Sequence, residues 1–458
     1  MGKKIAVFLL LSNMAFAQSV SQKLETATKS FQNSERGKAS TLSVYVVEES
    51  GNVVYDYQAD RGLSTASTQK IFTAAAALEV LGNNYTYTTT ASYSGSINNN
   101  ILKGDIYISS NGDPTLGSWR YDDRYKPEAF LQNLVNAVKK SGINKISGDL
   151  VIDDSYFDYQ TIPGGWPWDD LGNYYGAGIW GLNWRENQFD LIVYKGKIRR
   201  ISYPLVNVRW LNDVKVGGTN DESIIFTAPR SEVALINGYI PAKNSYTVSG
   251  STPNPPLQLG VEIKKNLNSA GIEIQGNVVT TSQLELEKKE PKNTSNNKVF
   301  FTHSSPTLDQ IVYWFLKKSV NLYGEALLKT IGKQKTKNSD FISSVAYLKD
   351  FWKSKGIDEY SINFADGSGL SPQNYVSAKA EVLALLYAKK QAWFPQYYAG
   401  FPDQDNGMKM KSGTLRNVKS YAGYYTSSDG KKYVFSVILN NYQGNTQYEL
   451  FKILNVLK

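Results

Sequence analysis

The spacing of three short polar motifs constrains this chain more than any other feature. Ser67-Thr68-Gln69-Lys70 and Ser319-Val320-Asn321 stand about 250 residues apart, a gap far too long for a loop inside one compact domain. Lys411-Ser412-Gly413-Thr414 follows near the C-terminus. If the three motifs share a site, the domain that holds them is split and another is inserted between its halves. Residues 18–82 and 299–458 then form the split domain.

Hydrophobic patterning predicts an α+β fold for it. Leu42 to Val47 and Val53 to Tyr57 read as one hairpin, and Tyr421 to Asn440 as another around Asp429-Gly430. The alanine-rich run Ile71 to Leu81 reads as a buried helix that Gly82 stops. Leu308, Ile311, Val312, Phe315 and Leu316 mark a helix before the second motif, and Leu322 to Ile331 a helix after it. Tyr448 to Leu457 predicts an amphipathic terminal helix. Inside the insertion, Glu128 to Lys140 is a helix opened by Pro127 and stopped by Gly142, whereas Lys145 to Ile152 and the stretches from Leu191 onward are strand-rich. Lys288 to Lys298 is a polar junction where the chain returns to the split domain.

The N-terminus carries Lys3 and Lys4, the apolar run Ile5 to Leu11 and the small residues of Ala15-Phe16-Ala17, the pattern of a signal peptide over residues 1–17. The expected location is a periplasm or cell-wall space, with no membrane span after cleavage because the run is short of the roughly 20 residues needed. The chain has no cysteine, so it is not lipid-anchored through one, and its length allows a core that does without disulfides. The net charge of +9, which Lys3 and Lys4 contribute to, suits either retention near anionic polymers or simply a soluble basic surface.

Metal chemistry is poorly supported. His303 is the only histidine, and neither HExxH nor a Cys/His cluster occurs, so no metal and no cofactor are expected. A Ser-His-Asp triad would need His303, which precedes a helix in Phe301-Thr302-His303-Ser304 and reads as structural. Nucleophile activation therefore falls to lysine. Residues three apart share a helical face, so the Lys70 amine can reach the Ser67 hydroxyl and, if desolvated and neutral, act as its base. Other SxxK matches, Ser295 to Lys298 and Ser428 to Lys431, lie in polar loop-like stretches. SxN also recurs, at Ser96-Ile97-Asn98 and Ser361-Ile362-Asn363, outside a helix junction. Ser319 would relay a proton to a leaving amine, and Asn321 would bind a substrate amide and hold Lys70. Met410 to Leu415 reads as an edge strand able to pair with an extended peptide, with Gly413 permitting close approach. There Lys411, Ser412 and Thr414 would grip a carboxylate, and the N–H groups of Ser67 and Thr414 would form an oxyanion hole.

Further segments accompany these motifs: Gly112-Asp113-Pro114-Thr115-Leu116, Gly165-Trp166-Pro167-Trp168-Asp169-Asp170, Asp366-Gly367-Ser368-Gly369-Leu370-Ser371, and Lys411 to Leu415 continuing through Ala422-Gly423-Tyr424. In this order the set resembles the D-alanyl-D-alanine carboxypeptidase/endopeptidase family of class C low-molecular-mass penicillin-binding proteins. The resemblance implies a penicillin-binding-protein/β-lactamase-like catalytic domain, an antiparallel sheet flanked by helices, with two nested β-rich inserted domains. Residues 83–115 and 196–298 would form the second domain and 116–195 the third. It implies Ser67 acylation by D-Ala-D-Ala or D-alanyl cross-link bonds of peptidoglycan stem peptides, with β-lactams as covalent inhibitors and no nucleic-acid partner. It also implies that Trp166, Asp169 and Tyr174 either reach over the cleft and bind a substrate side chain or simply pack the inserted domain. Pro372 stands where the family often has a basic residue, so a carboxylate contact is absent there. Asp366, Ser368 and Ser371 shape the rim or simply form a turn. Two rival readings are a β-lactamase and an inactive wall-binding scaffold.

Overall fold

A computed structural model describes residues 18–289, 294 and 296–458. The expected signal peptide, residues 1–17, and part of the polar junction lie outside them. The split domain is built on a five-stranded antiparallel sheet in the order Val53–Tyr57, Thr41–Glu48, Lys432–Asn440, Val418–Thr426 and Met410–Leu415. Both expected hairpins form, and Met410–Leu415 is the expected edge strand.

Alternation along the sheet explains its layering. On Thr41–Glu48, Leu42, Val44 and Val46 pack with the helices Val20–Gln32 and Gln447–Leu454 through Leu24, Phe31, Leu450 and Ile453. Tyr45 and Val47 face the other way, into a core with the helices Lys70–Leu81, Leu308–Lys317, Asn321–Thr336 and Ala378–Lys389. Successive strand residues point to opposite faces, so covering both faces makes six consecutive residues of this strand buried. The helix Lys70–Leu81 is central to the second layer: every residue from Lys70 to Leu78 is buried. Alanines 74 to 77 let neighbouring helices approach closely, and Phe72 meets Trp352 edge-on at 5.2 Å. Gly82 closes this helix at φ +84°, a conformation that favours glycine. The terminal helix is shorter than expected, Gln447–Leu454, and ends in a tight turn, Asn455–Leu457.

The insertion contains two β-rich units, but not with the expected boundaries. One sheet runs Val278–Thr280, Leu150–Asp153, Ile106–Ser110, Thr88–Tyr93 and Lys298–Ser304. Its core joins Ile106 and Ile108 to Phe130 and Leu134 of the helix Pro127–Lys140 and to Leu259 and Ile263 of the helix Pro255–Ser269. Residues 127–153, expected in the nested domain, are therefore paired and packed with the outer one. The nested unit lies instead within Gln188–Ser251, where Gln188–Tyr194 pairs with Lys197–Ile201 and Ser245–Ser251 over its own core of Phe189, Leu191, Ile225, Ile236 and Val248. Lys298–Ser304 pairs antiparallel with Thr88–Tyr93, so the return at 299 falls inside an inserted-domain strand and the catalytic layer resumes at Leu308. His303 sits in this strand with its ring edge-on to Phe130 at 5.4 Å, and burial lowers its proton affinity.

Candidate active site

The first motif forms a tight turn, Ala66–Gln69, that runs directly into the helix Lys70–Leu81. Ala66 has φ +50° and Ser319 has φ +56°. A side chain at such an angle is strained and persists only where the surroundings impose it; Ala66 immediately precedes the first motif and Ser319 opens the second. The spacing of three brings Lys70 Nζ within 2.9 Å of Ser67 Oγ. Lys70 Nζ also lies 2.6 Å from Asn321 Oδ1 and 2.6 Å from the Ser368 carbonyl.

Lys70 is fully buried. Burial draws its amine down to about 7, against the opposing pull of Asp366 and Glu325. A neutral amine has two N–H bonds and one lone pair. The two pure acceptors take the N–H groups, so the lone pair faces the Ser67 hydroxyl, the arrangement a general base requires.

The second motif occupies the junction between the helices Leu308–Lys317 and Asn321–Thr336, as its flanking patterns predict. Asn321 Nδ2 donates to the Tyr175 carbonyl at 2.8 Å, so one N–H expected for a substrate amide is spent on a loop of the insertion. Lys411 Nζ donates to Ser319 Oγ at 3.0 Å and to Ser412 O at 2.7 Å. Burial first, then repulsion by Lys70 and Lys419, hold Lys411 well below the ordinary lysine range. Gly413 presses against the nucleophile turn: a Cβ there would lie 2.2 Å from Thr65 O and 2.9 Å from Ser67 N. Thr414 is exposed beside the cleft, where Oγ1 accepts from Lys419 Nζ at 2.8 Å, and Ser412 is half-buried between Lys411 and Gly413.

Ser67, Ser319, Asn321 and Thr414 open onto one cleft of about 970 Å³, whose walls include Asp169, Tyr174, Pro372 and Arg416. Trp166 does not line it. Its indole Nε1 instead donates to Asp366 Oδ2 at 2.8 Å, tying the inserted segment to the turn behind Lys70. Of the two roles open to Trp166, this contact is a packing one: its buried indole N–H is satisfied by a buried carboxylate. Asp366 collects further N–H donors from Gly369, Ser371, Asn374 and Gln69.

Sequence reasoning missed two buried acids. Glu381, on Ala378–Lys389, accepts from Thr68 Oγ1 at 2.5 Å and from Ser436 Oγ at 2.6 Å, pinning the residue after Ser67 to the sheet. Glu325 accepts the Gly367 N–H at 2.8 Å. The available signal was a single carboxylate inside each otherwise apolar helical run, Leu322 to Leu328 and Ala380 to Leu386. Among the described residues no cluster of His, Cys, Asp and Glu could hold a metal ion.

The sequence profile of the D-Ala-D-Ala carboxypeptidase 3 (S13) family matches residues 21–455. The chain is 27% identical over 423 residues to the D-alanyl-D-alanine carboxypeptidase DacB of Haemophilus influenzae, covering 85% of this chain and 83% of that protein. It is 25% identical over 440 residues to the D-alanyl-D-alanine carboxypeptidase of Actinomadura sp. (strain R39), covering 88% and 78%. The crystal structure of penicillin binding protein 4 (dacB) from H. influenzae superposes with a TM-score of 0.76 at 23% identity, over 94% of this chain and 97% of that one. The same protein complexed with a β-lactam gives 0.71 at 22% identity, over 94% and 98%.

Proposed function

Because the chain belongs to the D-Ala-D-Ala carboxypeptidase 3 (S13) family, we propose that it hydrolyses the D-Ala-D-Ala bond of peptidoglycan stem peptides through a Ser67 acyl-enzyme. The observation that carries the reading is the enclosed Lys70 amine, 2.9 Å from Ser67 Oγ and held by two further acceptors, Asn321 Oδ1 and the Ser368 carbonyl.

The Ser67 O–H proton passes to Lys70 Nζ as Oγ bonds to the carbonyl carbon between the two D-alanines. The N–H groups of Ser67 and Thr414 stabilise the oxyanion. The C–N bond then breaks, and the departing amine takes a proton by way of Ser319, which Lys411 orients. Water attacks the remaining ester and regenerates Ser67. The edge strand Met410–Leu415 offers its unpaired side to the extended peptide, and Lys411, Ser412 and Thr414 bind its terminal carboxylate. Asp169 and Tyr174 face the substrate side chain, where a carboxylate and an aromatic ring suit an aliphatic chain ending in an ammonium. The same chemistry cleaves D-alanyl cross-links, and β-lactams acylate Ser67. Export through residues 1–17 places the enzyme beside this substrate; among the described residues no helix is long and apolar enough to cross a membrane.

Intact mass after incubation with benzylpenicillin, with Ser67→Ala as control, tests the proposal. A persistent adduct confined to wild type supports it. Rapid drug turnover without a lasting adduct indicates a β-lactamase, and no adduct with the drug unconsumed indicates a scaffold.

A further inference from the structure

Glu325 is completely buried, and no step of the proposed reaction uses it. It lies four residues after Asn321, so both side chains leave the same face of the helix Asn321–Thr336. Its Oε2 accepts the Gly367 N–H at 2.8 Å, and the neighbouring Ser368 hydroxyl, like that N–H, favours its ionised form. Across the same turn, Thr73 Oγ1 donates to Gly367 O at 2.7 Å, and the next carbonyl, Ser368 O, takes the Lys70 N–H at 2.6 Å. Helix and turn touch backbone to backbone: a Cβ on Gly367 would lie 2.3 Å from Gly324 O. The carboxyl is therefore a direct brace for the peptide that orients the Lys70 lone pair.

We propose that Glu325 is a positioning residue for acylation, bracing the Gly367-Ser368 peptide against Lys70 and holding the proton that the amine must lack. The exchange balances: an N–H bond breaks at Lys70, an O–H bond forms at Glu325, and the net charge of the pair is unchanged. Burial first, then the Asp366 carboxylate, push Glu325 up to about 8, close to the value of about 7 to which burial draws Lys70. Each group's charge acts on the other's proton affinity, so their titration belongs to the pair. The other charged groups facing the pair are Asp366 in the turn, Lys329 one turn along the Glu325 helix, and Lys411 on the edge strand.

This inference rests on the proposed acyl transfer, and the experiment separates the two. The rate of acylation by benzylpenicillin is followed from about pH 5 to about pH 9.5 for wild type, Glu325→Gln and Glu325→Asp. Glutamine fits the site but removes an anion that raises the Lys70 proton affinity. The acid limb should move down by about half a pH unit and follow a single titration, raising the rate at pH 6 about threefold relative to its plateau. Aspartate should retain the wild-type limb. A limb unmoved in Glu325→Gln, whatever the plateau height, overturns the proposal. Should the glutamine variant not fold, infrared titration of wild type and Glu325→Asp gives the same decision. A protonated-carboxyl band that persists above the acid limb, is lost only as the pH rises further and is altered by Glu325→Asp supports the proposal; a band lost across the acid limb, or indifferent to that substitution, overturns it. Wild-type protein that is never acylated sinks the acyl-transfer reading instead.

Discussion

Replacing Asp366 by asparagine changes one oxygen to an NH2 group and little else in size, yet it should rank among the costliest substitutions in the catalytic domain. Both carboxylate oxygens face only donors. Oδ2 accepts from Ser371 N at 2.6 Å and Trp166 Nε1 at 2.8 Å; Oδ1 accepts from Gly369 N at 2.7 Å, Asn374 Nδ2 at 2.9 Å and Gln69 Nε2 at 3.3 Å. The new NH2 is better tolerated at the Oδ1 position, because Asn374 and Gln69 keep second acceptors in Ser371 O and Asp366 O. Even there the buried Gly369 N–H is orphaned, at about 1–3 kcal/mol, and the two bonds to the remaining oxygen lose charge assistance, at about 1 kcal/mol each. The sum is about 3–5 kcal/mol, read as a lowered urea midpoint at constant slope. Trp166→Phe removes one donor and leaves the charge with four, so it should cost about 1.5–3 kcal/mol. The double variant should lose less than the sum of the two, since both act on Oδ2. A loss below about 1 kcal/mol for Asp366→Asn would refute the view that this carboxylate organises the turn behind Lys70.

Lys70→Met should lower the acylation rate by about 10²–10⁴-fold, and the wild-type rate should fall on acidification through about pH 7, where the amine gains its proton, as stopped-flow mixing with penicillin would show. Glu381 is pushed up to about 7 by burial, so between its ordinary value of 4.5 and about 7 the folded protein binds the extra proton and stability falls as pH rises. Denaturation of Glu381→Gln at pH 5 and pH 8 should therefore show a smaller difference than wild type. Gly413→Ala would place its Cβ 2.2 Å from Thr65 O and 2.3 Å from Ser420 Oγ, so the edge strand must shift; a cost of about 1–3 kcal/mol and at least about a tenfold slower acylation are expected from urea melts and adduct kinetics.

Local chemistry made much of this protein legible in its sequence. Helical spacing alone put Ser67 beside Lys70, and the apolar runs on either side of Ser319 placed it at a helix junction. Short apolar runs separated by turn residues marked both hairpins of the central sheet, and the gap between motifs required an insertion. Each of these features depends on residues a few positions apart, or on length, and survives without knowledge of the fold. What spacing could not supply was pairing across the chain. The strand Leu150–Asp153 carries the same pattern whichever neighbour it takes, so its partnership with Ile106–Ser110, and with it the domain boundary, was settled only by packing. Trp166 reads equally as a cleft aromatic or a packing residue until Asp366, two hundred residues away, is found within reach of its N–H. The proton affinities of Lys70, Glu325 and Glu381 are likewise tertiary properties: each depends on how completely distant helices exclude water and on which charges that exclusion brings together.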